Sequence, residues 1–228
     1  MTNRLVWADQ RLQHPFRDTD LLDLAFTHRS AAKRNNERLE FLGDAFLNFS
    51  IARKLYEIRP QDSEGDLSRL RASLVKGTTL AELGRELDIA PMIVMGAGEQ
   101  RSGGSNRDST IANAVEAVIG AVLLDGGTEA ADSCISRLFE SRLENLPSAD
   151  SLKDSKTKLQ EWLQGRGLGL PIYEVESVTG EPHKQSFVIS CQLPDSGRST
   201  KGCGQSRRHA EQDAAGQMLS ELDSDGKN

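Results

Sequence analysis

The sequence predicts an α+β protein with an all-α first part and a small α-β-β-β-α second part. In the first part, apolar side chains recur at the three- and four-residue spacing of helices. In the second part, apolar and polar residues alternate as in strands, with a helical segment on either side. A run rich in Pro, Ser and Asp separates the two patterns, and 228 residues are enough for two domains.

The first part, residues 1–147, consists of amphipathic helices joined by short loops. Leu39, Phe46 and Phe49 share one side of its clearest helix. A cap-type serine, Ser63, precedes the next helix, and Gly126 followed by Gly127 interrupts the last apolar stretch. Helices are predicted over 37–57, 63–76, 79–87, 109–125 and 128–145, and a glycine-rich loop over 98–108.

The second part begins after a linker at 148–154 and occupies residues 155–223. Its first helix has the sequence KTKLQEWLQGRG and ends at glycine. The turns GEPH and PDSG separate three strands, and the last helix follows GCGQS. Strands are predicted over 172–178, 184–193 and 199–204, helices over 156–167 and 206–222, and a disordered tail over 224–228.

Composition excludes several classes of protein. The three cysteines are scattered without a CxxC pair, which argues against a disulfide scaffold and a zinc finger. No run of about 18 apolar residues predicts a membrane span, and the N-terminus lacks the apolar stretch of a secretion signal. We therefore expect a cytoplasmic protein. The net charge of −6 does not by itself indicate a nucleic-acid partner.

Three acids lie on one face of the helix predicted over 37–57. Glu37, Glu40 and Asp44 are spaced i, i+3 and i+7, which places them one above the other. One interpretation is a solvated helix face that pairs with Arg38, Lys33 or Arg34. The other is a set of oxygen ligands for a cation.

A fourth acid, Glu116, lies within the apolar run IANAVEAVIGAVLL. Burying a lone carboxylate costs several kcal/mol, so a positive partner is expected. No Lys or Arg occurs between Asp108 and Arg137. A cation shared with Glu40 and Asp44 would compensate the charge, and oxygen ligands without His or Cys favour magnesium or manganese.

These segments resemble bacterial ribonuclease III. ERLEFLGDAF (37–46) is similar to the family's signature, and THRS, EGDLSRLRASLV and VEAVIGAVLLD follow the family's order around it. KTKLQEWLQGRG, GEPH and GCGQSRRHAEQDAA resemble its double-stranded RNA-binding domain. The resemblance implies a homodimeric endoribonuclease that cleaves both strands of double-stranded RNA, leaves 5′-phosphate and 3′-hydroxyl ends, and serves in ribosomal and other RNA processing.

The resemblance also assigns roles to individual residues. It implies that Glu40, Asp44 and Glu116 bind Mg²⁺, for which Mn²⁺ substitutes, without an organic cofactor or a membrane. Glu37 and Glu64 match acidic positions near the scissile strand, and Asp44, Glu116, Glu37 and Glu64 form the predicted catalytic set. Asn36 matches a position close to the RNA. Phe41 matches an aromatic residue of the dimer interface, although a core position is the alternative.

One metal position departs from the family pattern, because Asn113 replaces the usual aspartate. An amide oxygen still binds magnesium but brings no charge. We expect a higher magnesium requirement. The alternative is a regulator that binds double-stranded RNA with little or no cleavage, and a weaker one is a helical enzyme acting on small phosphates.

The remaining predicted residues contact RNA through the second domain. Duplex RNA is recognised by its shape, through 2′-hydroxyls and phosphates. The expected contacts come from the first helix, the GEPH turn and the start of the last helix. Glu211 lies where the family often has another lysine, so we expect modest, salt-dependent affinity. The predicted RNA-binding residues are Asn36, Thr157, Gln160, Glu161, His183, Lys201, Arg207 and Arg208.

Overall fold

The computed structural model describes residues 4–225, which form two compact units divided after Leu152. A helical unit is followed by a unit with a helix, three antiparallel strands and a helix, which confirms the predicted α+β class. The finer domain limits stay a prediction. Of the tail predicted as disordered, residues 224 and 225 continue the last helix, and 226–228 lie outside the described residues.

The first unit contains the five predicted helices in their predicted order, together with α-helices at Arg4–Trp7, Thr19–Ala25 and Ala97–Arg101 that were not predicted. Ser63 caps its helix by accepting a hydrogen bond from the backbone N–H of Asp66, as its sequence position indicated. Shorter turns of helix lie at Ala8–Leu12, Ala90–Met92 and Gly104–Asn106. The α-helices are α1 (Arg4–Trp7), α2 (Thr19–Ala25), α3 (Glu37–Ile58), α4 (Glu64–Val75), α5 (Gly77–Glu86), α6 (Ala97–Arg101) and α7 (Asp108–Glu144).

Helix α7 passes through the core of the first unit and packs against α3 and α5. It is broken at Gly127, whose backbone has φ 79° and ψ −177°, so the two helices predicted around this glycine are present. Eighteen residues of α7 have a mean hydropathy of 1.3, enough by length and composition to cross a membrane. Because 61% of that window is buried, α7 serves as the core helix of this unit.

Two segments predicted as loop or linker contain short helices. Within 98–108, α6 ends at Arg101, and Gly104 packs so closely on Glu99 that a side chain would collide with it. Within 148–154, one helical turn covers Ala149–Leu152, and its apolar residues pack on the core of the first unit. Local composition indicated polar loops. The contact between Glu99 and Gly104 compacts the first segment, and packing on the core of the first unit orders the second.

The second unit packs two helices on one face of its sheet. Helix α8 (Ser155–Gln164) and helix α9 (Arg207–Asp225) cover strands β1 (Ile172–Thr179), β2 (Ser186–Gln192) and β3 (Ser199–Gly204), which are antiparallel in the order β1-β2-β3. A register shift at Glu176 marks a bulge in β1. The core of this unit contains Leu159, Leu163, Cys191, Leu193, Ala214, Ala215 and Met218.

Candidate active site and nucleic-acid interface

Two glycines bring the acids of α3 and α7 together. A Cβ atom on Gly43 would lie 1.8 Å from the carbonyl oxygen of Glu116, and one on Gly120 would lie 2.2 Å from that of Leu39. The helices therefore touch backbone to backbone at a point where larger residues do not fit. Asp44 follows Gly43 directly, and Glu116 is one turn before Gly120, so this crossing determines the separation of the acids.

The acids at this crossing repel one another. Burial raises the pKa of Glu116 to about 7, and the negative charges of Asp44 and Glu40 add to the rise. The pKa of Glu40 is also raised, by burial and then by Glu37, against a hydrogen bond from Asn113 and the charge of Arg29. Among the described residues, no cation appears in the environment that shifts Glu116. Glu116 is thus a half-buried acid without a compensating partner.

The donor atoms at this crossing suit a hard divalent cation. The side chains offer carboxylate oxygens and, at Asn113, an amide oxygen, which magnesium and manganese prefer. A cation among them would relieve the repulsion that raises the pKa of Glu116. Within residues 4–225, however, no three acidic, histidine or cysteine side chains already form a complete metal-binding group. The metal roles of Glu40, Asp44, Asn113 and Glu116 stay a prediction.

The two outer acids of the predicted set have different surroundings. Glu37 is exposed, acts on the pKa of Glu40, and lies 3.6 Å from the guanidinium of Arg29. Arg29 is not among Lys33, Arg34 and Arg38, the partners that the interpretation as a solvated helix face named. Glu64, in the first turn of α4, accepts a hydrogen bond from the Ser68 hydroxyl at 2.7 Å. The electrostatic effect on Glu40 therefore links Glu37 to the group, whereas the recorded side-chain contact of Glu64 is with Ser68 on its own helix.

A cavity of about 580 Å³ adjoins the acids. Glu37, Glu40 and Asn113 line one part of it, and Arg29 and Arg107 contribute positive charge. Sequence reasoning did not assign these two arginines. Their only signals were a place inside the THRS run for Arg29 and a position directly before α7 for Arg107.

Asn36, predicted to lie close to RNA, is only 4% exposed, although it reaches the wall of the cavity beside the acids. Its side-chain amide donates a hydrogen bond to the carbonyl of Ala25 at 3.3 Å, and its backbone carbonyl accepts from the N–H of Glu40. Asn36 thus connects the end of α2 to the first turn of α3. The RNA contact stays a prediction.

An apolar face of α3 is exposed on the first unit. Phe41, Phe49 and Tyr56 are 78%, 62% and 73% exposed, and their spacing puts them on the same side of the helix. Phe41 is therefore not a core residue of this chain, which was the alternative to an interface role. Large aromatic residues in a row on one helix are typical of a surface covered by another protein.

The first helix of the second unit presents three of the predicted RNA contacts. Gln160 is exposed, and Thr157 is partly buried, with its backbone N–H bonded to the capping carboxylate of Asp154 at 2.9 Å. Glu161 is exposed and accepts a hydrogen bond from Lys153 Nζ at 2.6 Å. His183, in the turn between β1 and β2, has a 69% exposed side chain.

The predicted basic contacts are divided between two faces of the second unit. Arg207 and Arg208 begin α9, where Arg207 pairs with Glu211 and Arg208 lies 3.9 Å from Asp154. Lys201 on β3 pairs instead with Glu176 at 2.6 Å. Its neighbours on the strand, Thr200 and Gly202, contact α9, so the side chain of Lys201 projects from the opposite face of the sheet.

Two glycines of β3 make the contact between sheet and helix possible. A Cβ atom on Gly202 would lie 2.1 Å from the backbone nitrogen of Ala214, and one on Gly204 would lie 2.6 Å from that of Ala210. In the structure they admit α9, so their role here is packing.

Comparison with known proteins agrees with both units. Residues 18–143 match the ribonuclease-III-like family model, and residues 155–222 match that of the double-stranded RNA binding motif. Ribonuclease 3 of Nitrosococcus oceani is 53% identical over 97% of this chain and 96% of its own length. Ribonuclease 3 of Vibrio cholerae is 50% identical over 97% of this chain and 99% of its own length.

Solved structures agree with the first unit. A ribonuclease III nuclease domain from Campylobacter jejuni covers 64% of this chain and 100% of its own, with 39% identity and a TM-score of 0.60. A second nuclease-domain structure from the same organism, which concerns flexibility in a region involved in dimer formation, covers 59% of this chain and 95% of its own, with 41% identity and a TM-score of 0.58. The chain therefore belongs to the ribonuclease III family of double-stranded RNA endoribonucleases, with a nuclease domain and an RNA-binding domain in one polypeptide.

Proposed function

We propose that this chain hydrolyses double-stranded RNA at the crossing of α3 and α7, with Mg²⁺ held by Glu40, Asp44 and Glu116. The observation that carries the proposal is Glu116, a half-buried carboxylate beside two further acids without a cation. A structural acid would be expected to have a basic partner in such a place. Mn²⁺, with the same preference for oxygen ligands, is expected to substitute.

The acids of this chain divide the work of hydrolysis. Glu40, Asp44 and Glu116 hold the divalent ion, and Asn113 adds a neutral oxygen. When bound, the ion supplies charge relief for the phosphoryl oxygens and lowers the pKa of the attacking water. Glu37, on the same face of α3, orients the water, and Glu64 is assigned to this task on the family resemblance alone. Breaking the bond between phosphorus and the 3′-oxygen leaves 5′-phosphate and 3′-hydroxyl ends.

The second unit holds the duplex. Thr157, Gln160 and Glu161 offer hydrogen-bonding groups along one side of α8, suited to the 2′-hydroxyls of the minor groove. His183 contributes from the turn before β2. Arg207 and Arg208 bring charge to the phosphates beside the N-terminus of α9, which itself attracts anions. Lys201 and Asn36 are the weaker assignments, because one lies on the other face of the sheet and the other is buried.

The chain acts as a homodimer in this proposal. The exposed aromatic face of α3 needs a cover, and a region involved in dimer formation is described for a Campylobacter jejuni relative. We expect Phe41→Lys to dissociate the dimer, because it places a charge within an apolar contact. Analytical ultracentrifugation measures this, with Val178→Lys in the second unit as a control that stays dimeric. A Phe41→Lys chain that stays dimeric at micromolar concentration would place the interface elsewhere.

The test of the catalytic proposal is direct. The full chain is incubated with a long perfectly paired RNA in Mg²⁺, in Mn²⁺ and in EDTA. Cleavage to products with 5′-phosphates is expected with either ion and not in EDTA. Intact RNA at every magnesium concentration, with RNA binding retained, would favour the non-cleaving regulator, which neither the structure nor the comparisons support. A cytoplasmic location follows as the compartment of such substrates, and it agrees with three unpaired cysteines.

A further inference from the structure

An acid lies among the RNA-contacting cations of the second unit. Glu211 follows Arg207 by one turn of α9, at a position where a negative charge would be expected to repel phosphate. Considered by charge alone, it weakens the interface. Its surroundings in the structure indicate a different role.

Glu211 is turned away from solvent and uses both of its carboxylate oxygens. The residue is only 9% exposed. Its Oε1 accepts a hydrogen bond from Arg207 Nε at 2.9 Å, and its Oε2 accepts one from Lys156 Nζ at 2.6 Å. These bonds lower the pKa of the carboxyl against the opposing effect of burial, so the group is charged at neutral pH. Its charge is therefore satisfied inside the domain.

Arg207 is held by one edge of its guanidinium only. The bond to Glu211 uses Nε, and among the described residues the structure records no hydrogen bond from either terminal amino group. The side chain of Arg207 is 65% exposed. A guanidinium fixed in this way still has two parallel donors for the oxygens of a phosphate. The bond to Glu211 restricts the rotation of a long side chain, which reduces the entropy lost on binding.

Lys156 fixes Glu211 from the opposite side. This lysine is on α8, and its Nζ also lies 4.4 Å from the centre of the Tyr173 ring on β1. Glu211 is therefore tied to α8 through Lys156, which in turn contacts β1, and it is not free to swing toward RNA. Two cations share one acid, which leaves one net positive charge. The pair formed by Lys201 and Glu176 has one acid for one cation and therefore leaves no net charge.

We propose that Glu211 is a positioning residue for RNA binding, which holds Arg207 with its terminal amino groups directed to the RNA backbone. This inference rests on the proposed phosphate contact of Arg207. The effect on RNA binding is opposite to the one that charge alone predicts. Removing the negative charge of Glu211 weakens the binding of RNA, although the domain becomes more positive.

The first experiment compares two variants that each remove one negative charge. Binding of the full chain to a duplex of about 30 base pairs, roughly twice the ~16 that one such domain covers, is measured by fluorescence anisotropy in EDTA. We expect Glu211→Gln to weaken binding about tenfold, the equivalent of one charge-assisted hydrogen bond. The control is Glu174→Gln, exposed on β1, for which unchanged or tighter binding is expected. Equal or tighter binding by Glu211→Gln would overturn the proposal.

The second experiment asks whether Glu211 acts through Arg207. In an Arg207→Ala background, Glu211→Gln should cause no further loss, because the group that it positions is gone. An equal loss in both backgrounds would show a merely structural role and overturn the proposal. Unchanged binding by Arg207→Ala alone would refute the phosphate contact together with this inference. Neither result bears on the proposed cleavage activity, which is measured separately in Mg²⁺ with the unaltered chain.

A third variant does not depend on the stability of Glu211→Gln. Arg207→Lys keeps the charge and leaves the bond between Glu211 and Lys156 in place. The three N–H donors of an ammonium point away from a single nitrogen, so a lysine held by Glu211 cannot present two parallel donors to a phosphate as a guanidinium does. We therefore expect binding several times weaker than that of the unaltered chain, about as weak as Arg207→Ala. Arg207→Lys binding as tightly as the unaltered chain would contradict the proposal.

Discussion

The acids of the two units have opposite surroundings. At the crossing of α3 and α7, Glu116 and Glu40 face other acids, and the pKa of each is raised. In the second unit, Asp154 and Glu211 face backbone N–H groups or cations, and the pKa of each is lowered. The first arrangement is unfavourable until a cation arrives, whereas the second is complete within the chain. Partners, more than the number of acids, therefore distinguish a site from a structural or positioning contact.

The largest expected effect comes from Glu116→Gln. Without this carboxylate, cleavage of duplex RNA in Mg²⁺ should fall by at least about 100-fold. Replacing a residue that only hydrogen-bonds to a metal ligand costs up to about 100-fold, and Glu116 is proposed to bind the ion directly. Binding of RNA in EDTA should not change, since the second unit is untouched. Glu129→Gln, an exposed acid on the same helix, is the control and should cleave normally. A Glu116→Gln chain that cleaves at the normal rate would show that Glu116 is not required to bind the metal.

Asn113→Asp should have the next largest effect. A fourth carboxylate increases the charge available to the ion, so the magnesium concentration for half-maximal cleavage should fall on the order of tenfold. In EDTA the same variant should unfold at a lower temperature, because it adds a negative charge beside Glu40 and Glu116. Asn145→Asp, at the far end of α7, controls for net charge. An unchanged magnesium requirement would remove Asn113 from the ligand set.

The pH dependence of stability should expose the unpaired acid without any measurement of activity. The pKa of Glu116 is raised from 4.5 to about 7, so its contribution to stability is fully present below pH 4.5 and is lost as pH rises toward 7. In EDTA, the unfolding temperature of Glu116→Gln minus that of the unaltered chain should increase over this range. Saturating Mg²⁺ should reduce the difference. A difference independent of pH would mean that Glu116 is not repelled in the folded state.

The smallest expected effect belongs to an acid of the second unit. Asp154→Ala removes the cap of α8, whose carboxylate accepts from the N–H of Thr157, and should cost about 1 kcal/mol of unfolding free energy. Since the pKa of Asp154 is lowered from 3.8, its contribution is present above pH 3.8 and is lost as pH falls through the folded value. Denaturant titrations at neutral and acidic pH measure this. A cost that grows as the pH falls would contradict the assignment.

Much of the fold could be predicted because its signals are local. The spacing of Leu39 and Phe46, the cap at Ser63 and the break at Gly127 each depend on nearby residues, and the structure contains the elements that they indicate. The helical turn Ala149–Leu152 was missed because its order comes from packing on the core of the first unit. Polar composition carries no information about such a distant contact.

The candidate site was predictable in part for the same reason. Helical spacing alone places Glu37, Glu40 and Asp44 on one face, and the apolar run around Glu116 indicates its burial. The roles of Gly43 and Gly120 were not visible, because a glycine within a helix does not reveal which backbone lies against it. Arg29 and Arg107 were missed because they line the same cavity from segments far apart in sequence.

The sequence by itself determined the longer helices and the strands of this protein, the order of its two domains and the family to which it belongs, since each depends on local patterns or on recognisable motifs. Only the tertiary structure decided which charges meet. It joined Glu116 to Asp44 and Glu40, directed Lys201 away from α9, and turned Glu211 inward between Arg207 and Lys156. The physical reason is that electrostatic interactions depend on distance and burial, which the crossing of helices and the packing of the sheet set.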